Sequence, residues 1–305
     1  MGKYLIKSLL QMVPVLFLIS AIVFVLVHVT GDPVNLMLPE TATAEDRAVL
    51  SEALGLDRPL YVQFGLFLFN AIQGDFGHSF HYGQSALPLV LERLPASFQL
   101  AGAGMLIATL IAIPLGIISA LKRNTYLDLF ISGLSALGKG MPNFWTGIML
   151  ILLFSVILGI FPVSGKGGPE HLVLPAITLG AGIAAQMTRL IRASMLEILN
   201  QEYIRTARSK GLLETIVIFK HALRNGLIPV VTIMGLQFTS LIGGTLVTET
   251  VFSWPGLGQL LVSAVNTHDM SIVQAAVFVI AIIVLIVNLL TDIVYRYLDP
   301  RIKYS

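Results

Sequence analysis

The sequence predicts an all-α membrane protein with six transmembrane helices. Three observations carry this prediction: 55% of the 305 residues are hydrophobic and 12% are charged, the mean hydropathy is +0.84, and several apolar runs are long enough to cross a bilayer. Soluble domains carry about 25% charged residues, so this chain has too little charge for a water-covered globule. Because the chain has no cysteine, disulfides and thiolate metal sites are excluded.

The apolar runs predict where the crossings lie. A helix needs about 20 apolar residues to span a hydrocarbon core of about 30 Å. Five uncharged runs suit this length, and they are residues 8–31, 94–121, 171–188, 225–248 and 270–291. The first run is expected to remain as a helix, since it is longer than the apolar part of a signal peptide and no A-x-A-like site follows it.

Residues 129–161 form a further apolar region that is too long for one straight crossing. As a helix it would extend about 50 Å at 1.5 Å per residue. Glycine, lysine and proline interrupt it at 138–142. Because 129–137 covers only half of a membrane, we interpret the region as one broken crossing, mainly 143–161.

The distribution of Lys and Arg predicts the orientation. With six crossings, most of these residues fall on the side of both termini, which the positive-inside rule places in the cytosol. The other side receives only Arg47, Arg58, Arg93 and Lys166. The predicted organisation is therefore a first transmembrane helix (1–30), a large periplasmic loop (31–95), a five-helix core (96–296) and a cytosolic tail (297–305).

The predicted periplasmic loop carries more acidic than basic residues. Apolar residues recur at helical spacing around 43–54 and 60–73, which predicts two short amphipathic helices. Two interpretations are compatible with this pattern, and both can hold: a solvated cap on the helical bundle, and a docking surface for an external solute-delivering protein.

The cytosolic stretch between the fourth and fifth crossings contains two short helical patterns that meet at Gly211, a residue suited to a helix C-terminus. Tyr203, Ile204 and Ala207 supply a small apolar ridge beside several basic residues. A helix this short is marginal alone. Two interpretations stay open: the segment lies against anionic lipid headgroups, or it docks on a partner protein.

Several motifs point to chemistry that the chain is not expected to perform. Residues 133–140 nearly match the phosphate loop G-x4-G-K-[ST], but Gly140 replaces the required hydroxyl residue and no strand precedes the motif. We therefore expect no nucleotide site on this chain. His78 and His81 lack a third ligand for a metal, and Ser79 lacks the full G-x-S-x-G pattern of a hydrolase.

Polar side chains at membrane depth are costly and often functional. Four of them are predicted to line a passage: Asn143, Gln186, Gln237 and Glu249. The alternatives are hydrogen bonds between helices and, for Glu249, simple hydration near the outer end of its crossing. Lys139 and Asp292 also lie within or near predicted crossings. Too few acids are present for a proton relay.

Motifs spread over essentially the whole chain carry a family resemblance. They are G-D-P at 31–33, G-L-D-R-P-L at 55–60, G-D-F-G-H-S at 74–79, M-P-N-F-W at 141–145, W-P-G-L-G at 254–258 and D-P-R at 299–301. Together they resemble the inner-membrane permease subunits of bacterial ATP-binding-cassette (ABC) importers, in the dipeptide, oligopeptide and nickel group.

The family's coupling signature, E-A-A-x3-G-x9-I-x-L-P, matches this chain only at Ala207, Gly211 and Leu223. The variant found here, T-A-R-x-K-G followed by K-H-x-L-R-N, resembles the peptide and nickel group. The resemblance implies that 200–224 is a coupling helix that docks on an ATPase. The implied residues are Glu202, Arg205, Thr206, Ala207, Arg208, Lys210, Gly211, Lys220, His221, Leu223 and Arg224.

The resemblance also implies the partners. They are a second homologous permease, two cytosolic ATPases that hold ATP and Mg²⁺, a periplasmic solute-binding protein and the lipid of the inner membrane. No nucleic acid, metal or cofactor is expected on this chain, and no enzymatic activity. The expected cargo is a dipeptide or oligopeptide. Alternatives are nickel or a nickel chelate as cargo, or a stand-alone secondary transporter, although no inverted repeat or ion-coupling residue is apparent.

Overall fold

The computed structural model describes residues 2–30, 38, 43–53 and 55–298, and within these it contains helices and one isolated β-bridge. In chain order the helices are α1 Gly2–Thr30, α2 Ala44–Ala53, α3 Leu60–Ile72, α4 Ala86–Leu121, α5 Tyr126–Gly140, α6 Asn143–Leu150 with a π-helical continuation Ile151–Ile157, α7 Glu170–Leu199, α8 Glu202–Ser209, α9 (Glu214–Ile216, π-helical Val217–Ala222, Leu223–Gly226), α10 Ile228–Val251, α11 Leu257–Asn266 and α12 Met270–Leu298. The motifs at 31–33 and 299–301, and most of the predicted tail, lie outside the described residues.

Among the described residues, four helices are long and apolar enough to cross a membrane. They are Ile6–Val27, Ala86–Leu121, Glu170–Leu199 and Met270–Ile293. The bent pair α5 and α6 adds a fifth if it forms one span. The crossing predicted at 225–248 corresponds to α10. The all-helical membrane fold is therefore confirmed, whereas the count of six stays a prediction.

Two of the crossings are longer than the uncharged runs that predicted them. Helix α4 begins at Ala86 rather than at 94, because Ala86, Leu89 and Val90 are buried in an apolar cluster and Glu92 and Arg93 can be carried within the helix. Helix α7 continues to Leu199 instead of ending at 188. An uncharged run therefore marks the most apolar part of a helix, while packing against protein sets where the helix ends.

The predicted break in the third apolar region is confirmed. Helix α5 ends at Gly140, and Met141 takes an extended conformation before Pro142, as a residue before proline prefers. The chain bends by 108° between α5 and α6. The near-match to a phosphate loop lies within α5, so its backbone N–H groups belong to a helix and form no phosphate cradle.

The chain forms two compact units, of which the first comprises residues 1–95 and 256–286. The two helices predicted near 43–54 and 60–73 are present here as α2 and α3. Ser79 is buried and donates its hydroxyl to the buried Asp269 carboxylate, whose other oxygen accepts from the N–H of Ile272. This acid therefore caps α12 and ties the segment before α4 to it.

The second unit comprises residues 96–255 and 287–305. Its core is a cluster of small and aliphatic side chains from α4, α7, α8, α9 and α10. Glycine allows the closest approach: a Cβ on Gly180 would lie 2.6 Å from the carbonyl oxygen of Gly104, so α4 and α7 touch through their backbones. Small residues at helix contacts are characteristic of membrane bundles, where close van der Waals packing drives association.

Candidate functional site

The first candidate site is the helical hairpin formed by α8 and α9, residues 202–226, which we call the coupling hairpin. Its apolar side is anchored in the second unit. Ile204 and Ala207 of α8 are buried with Val217 and Ala222 of α9 in the apolar core. Short helices need such packing to be stable in water, so the hairpin is held as part of the bundle.

This anchoring corrects the predicted apolar ridge. Of its three residues, Ile204 and Ala207 face the protein's own core, and only Tyr203 is exposed. Leu223 is half-buried and packs against the same core. Ala207 and Leu223, predicted as contacts to a partner, therefore hold the hairpin in place.

Gly211 forms the turn of the hairpin. Its φ is +74°, and no neighbouring atom lies within 4 Å of the position where a Cβ would be. The requirement for glycine is thus conformational, since a left-handed backbone costs other residues about 1–2 kcal/mol. The N–H of Gly211 donates to the carbonyl of Arg208 at 2.9 Å, which closes α8.

An ion pair joins the two arms of the coupling hairpin across this turn. The Arg208 guanidinium donates to both carboxylate oxygens of Glu214, with Nη2–Oε1 at 2.6 Å and Nε–Oε2 at 3.2 Å. These hydrogen bonds and the positive charge lower the pKa of Glu214, and the same bonds raise the pKa of Arg208. The guanidinium of Arg208, a predicted coupling residue, is therefore bound within the hairpin, and its side chain is still 42% exposed.

The remaining predicted coupling residues are placed around the solvent face. Glu202 and Arg205 form an exposed pair at 3.6 Å. Thr206 donates its hydroxyl to the carbonyl of Glu202 at 3.0 Å, and His221 is half-buried. Besides Arg208, the exposed cations of the hairpin are Arg205, Lys210, Lys220 and Arg224.

Sequence reasoning missed the apolar part of this face. Leu213 and Phe219 are 69% and 61% exposed, and Ile216 lies between them at helical spacing. The sequence contains a signal for this patch in the run from Leu212 to Phe219. Val217 lies on the buried face of the helix, and apolar residues lie on the opposite face as well. An exposed apolar patch beside cations is typical of a surface that contacts a protein or a membrane.

The second candidate site is a cavity of about 250 Å³ in the second unit, which we call the polar cavity. It brings together three of the four predicted passage residues: Asn143 at the start of α6, Gln186 on α7 and Gln237 on α10. Lys139, from the last turn of α5, lines it as well. The bend between α5 and α6 is what directs Lys139 and Asn143 to the same space.

Glu249 does not line the polar cavity. It is fully buried, and the Ser97 hydroxyl donates to its carboxylate at 2.6 Å. The alternative that Glu249 is hydrated is therefore wrong. Its contact spans α4 and α10, near where the Trp254 indole donates to the Ala96 carbonyl at 2.9 Å.

A buried ion pair was also missed. The Arg192 guanidinium donates to both oxygens of the Asp128 carboxylate, at 2.7 and 2.8 Å, and the Ser119 hydroxyl donates to the same group at 2.5 Å. This cluster joins α4, α5 and α7. In the part of the chain that the structure describes, no three His, Cys, Asp or Glu residues come together as a metal site, and His78 and His81 are exposed.

Comparison with known proteins agrees with this architecture. Residues 112–304 match the family model described as "Binding-protein-dependent transport system inner membrane component", and residues 1–101 match its N-terminal companion model. The chain is 42% identical over 306 residues, covering 100% of both chains, to the glutathione transport system permease protein GsiC of Escherichia coli (strain K12). The same values apply to GsiC of Shigella dysenteriae serotype 1 (strain Sd197).

Two solved structures share the fold. An inward-facing MetNI methionine ABC transporter matches with a TM-score of 0.59 and 18% identity, over 69% of this chain and 96% of that one. An amino acid ABC transporter matches with a TM-score of 0.51 and 16% identity, over 69% of this chain and 94% of that one.

The chain therefore belongs to the binding-protein-dependent transport system inner membrane component family. Proteins of this class are multi-pass inner-membrane permeases of ABC importers, and this chain falls in the peptide and nickel group. It is a transport subunit and not an enzyme, and it works with ATPase and binding-protein partners. The alternative of a stand-alone secondary transporter is wrong.

Proposed function

We propose that this chain and a second homologous permease form the passage through which dipeptides or oligopeptides enter the cell. Two cytosolic ATPases bind ATP and Mg²⁺ and supply the energy, and a periplasmic binding protein delivers the peptide. The full-length identity to permeases of glutathione transport, whose cargo is a small peptide, favours this cargo over nickel.

The coupling hairpin is the observation that carries the ATPase-docking role. One side of it is anchored by Ile204, Ala207 and Val217, and the other side presents cations beside Leu213 and Phe219. Because Ile204, Ala207 and Val217 pack inside the protein, the hairpin presents a rigidly held surface. A rigid surface that combines cations with apolar side chains suits a protein interface. Closure of the ATPases on ATP would displace the hairpin and shift the bundle between inward-open and outward-open states.

The proposed topology has six crossings, with the α5–α6 pair as the broken third and α10 as the fifth. Both termini lie in the cytosol, and residues 31–95 lie in the periplasm. This places α2 and α3 on the face that the binding protein approaches. It places the coupling hairpin on the face of the ATPases.

A substitution at the exposed apolar patch tests the docking role. Phe219→Asp puts a charge into the exposed apolar patch, and we expect the copurified ATPase to fall about tenfold or more, as for loss of an interface hot spot. The control is Leu60→Asp on α3, because Leu60 has the same exposed fraction of 61% but lies in the proposed periplasmic loop.

The measurement is the yield of ATPase that copurifies with the tagged permease complex from solubilised membranes, normalised to the permease. Leu60→Asp should retain the wild-type yield. If Phe219→Asp also retained it, the hairpin would not be the ATPase dock, and the lipid-headgroup interpretation would replace it.

A further inference from the structure

The polar cavity carries an unbalanced charge. Of the described residues that line it, Lys139 is charged, while Asn143, Gln186 and Gln237 supply amide groups; the others are Ser240, glycine, leucine and isoleucine. No carboxylate is among them. An amide can donate as well as accept, so the lining combines one cation with several adaptable hydrogen-bonding groups.

Lys139 has no ion-pair partner within the described parts of the chain. The ion pairs found there join other residues, including the Asp128–Arg192 and Arg208–Glu214 pairs. Lys139 is exposed in this chain and lies in the apolar region predicted to cross the membrane. A lysine there is costly unless an opposite charge or water balances it, and such residues commonly mark the path of a solute. The missing counter-charge is consistent with a ligand that supplies it.

The geometry points to Lys139 as the group that binds the carboxylate of the peptide during its passage, with Asn143, Gln186 and Gln237 bonding to the peptide's amide groups. This assignment rests on the proposed transport function and narrows its cargo to peptides with a free carboxylate. Charge-assisted bonds to a carboxylate are among the stronger hydrogen bonds in proteins. One such bond is also weak enough to release the cargo.

The same lining disfavours a free divalent metal as cargo. Nickel is bound in proteins by imidazole, thiolate or carboxylate groups, and the described lining has none of them. The positive charge of Lys139 would in addition repel Ni²⁺. An anionic nickel chelate would not be repelled, so uptake of Ni²⁺ and of such a chelate by the wild-type complex is measured alongside the test.

The test compares two cargoes in one transporter. Uptake of a labelled dipeptide and of its C-terminally amidated form is measured in proteoliposomes that contain the full complex and saturating binding protein. Each variant is scored as a ratio to wild type for the same cargo, so that selection by the binding protein cancels. The variants are Lys139→Met, which removes the charge, and Lys139→Arg, which retains it.

We expect Lys139→Met to reduce uptake of the free-acid dipeptide about tenfold or more, as for loss of a charge-assisted bond. Uptake of the amidated form should stay within about twofold of wild type, and Lys139→Arg should keep most of the free-acid uptake. Equal loss of both cargoes would overturn the assignment, because Lys139 would then act on structure alone. Equal retention of both would overturn it as well.

If Lys139→Met does not assemble, the variant Gln186→Glu tests the assignment of Lys139 instead. Gln186→Glu keeps the side-chain size and brings a carboxylate to the cavity as an internal partner for Lys139. It should selectively reduce uptake of the free acid, and uptake equal to wild type would count against the assignment. The proposed function fails in a different way: the wild-type complex would then import neither peptide, or would import Ni²⁺ or a nickel chelate in preference.

Discussion

At the scale of single residues, the Asp128 carboxylate depends on its neighbours because it is almost completely buried. Its side chain is 7% exposed and accepts from Arg192 and Ser119, which come from different helices. A buried carboxylate is stable only when its oxygens are fully hydrogen-bonded. Asp128 thus stabilises the junction of α4, α5 and α7 only together with its partners.

Asp128→Ala is expected to destabilise the second unit by about 3 kcal/mol, near the lower end for a broken buried pair because Arg192 retains access to water. Thermal unfolding of the solubilised complex measures this loss. The double variant Asp128→Ala with Arg192→Met is the matched control, since it removes the stranded guanidinium, and it should recover part of the stability. A single variant as stable as wild type would contradict this account.

At the scale of elements, the coupling hairpin is closed by the Arg208–Glu214 pair, whose strength depends on pH. Because the pair lowers the pKa of Glu214, its contribution is complete above the ordinary glutamate pKa of about 4.3. It is lost as the pH falls through the lowered value in the folded protein. Both side chains are partly exposed, so the contribution is at most about 1 kcal/mol.

Hydrogen exchange at the turn should report this dependence. At pH 7, Glu214→Gln is expected to speed exchange of the Lys210 and Gly211 amides by up to about fivefold. The difference from wild type should disappear in acid, once Glu214 is protonated. Amides of α7 serve as the internal control. If the two proteins exchanged alike at pH 7, the ion pair would not hold the hairpin closed.

Whether an element could be predicted depends on how far apart in the sequence the residues lie that determine it. Long uncharged runs located the long apolar helices, because the apolar character of a segment is a local property of the sequence. The start of α4 at Ala86 could not be found this way, since it depends on burial against distant residues. The Arg208–Glu214 pair required knowledge of the turn at Gly211, and the Asp128–Arg192 pair joins separate helices.

The candidate site shows the same division. The cost of polar groups in membranes singled out Asn143, Gln186 and Gln237, and the structure brings them to one cavity. Glu249 satisfied the same criterion but is buried against Ser97. Residue type therefore predicts that a polar group at membrane depth needs a partner, whereas only the arrangement of helices determines whether that partner is protein or solute.

At the scale of the whole molecule, the proposed topology can be tested directly because the chain has no cysteine. A single cysteine at the exposed Tyr61 of α3 should react in intact cells with a maleimide that does not cross the inner membrane. Thr215→Cys, on the exposed face of α9, should react only after permeabilisation. Labelling of Thr215→Cys in intact cells would contradict the placement of the hairpin in the cytosol.

The position of the coupling hairpin in the chain has a mechanical consequence. It connects α7 directly to α10, and these helices carry Gln186 and Gln237 on the lining of the polar cavity. Gln186 lies roughly 20 Å along α7 from the hairpin, and Gln237 roughly 14 Å along α10, at 1.5 Å per residue. A tilt of only a few degrees, applied at the hairpin, would move two sides of the cavity by an ångström or so, comparable to the length of a bond. Movement of the ATPases would then change the width of the passage through two continuous stretches of backbone. No additional contact between side chains would be needed to transmit the movement.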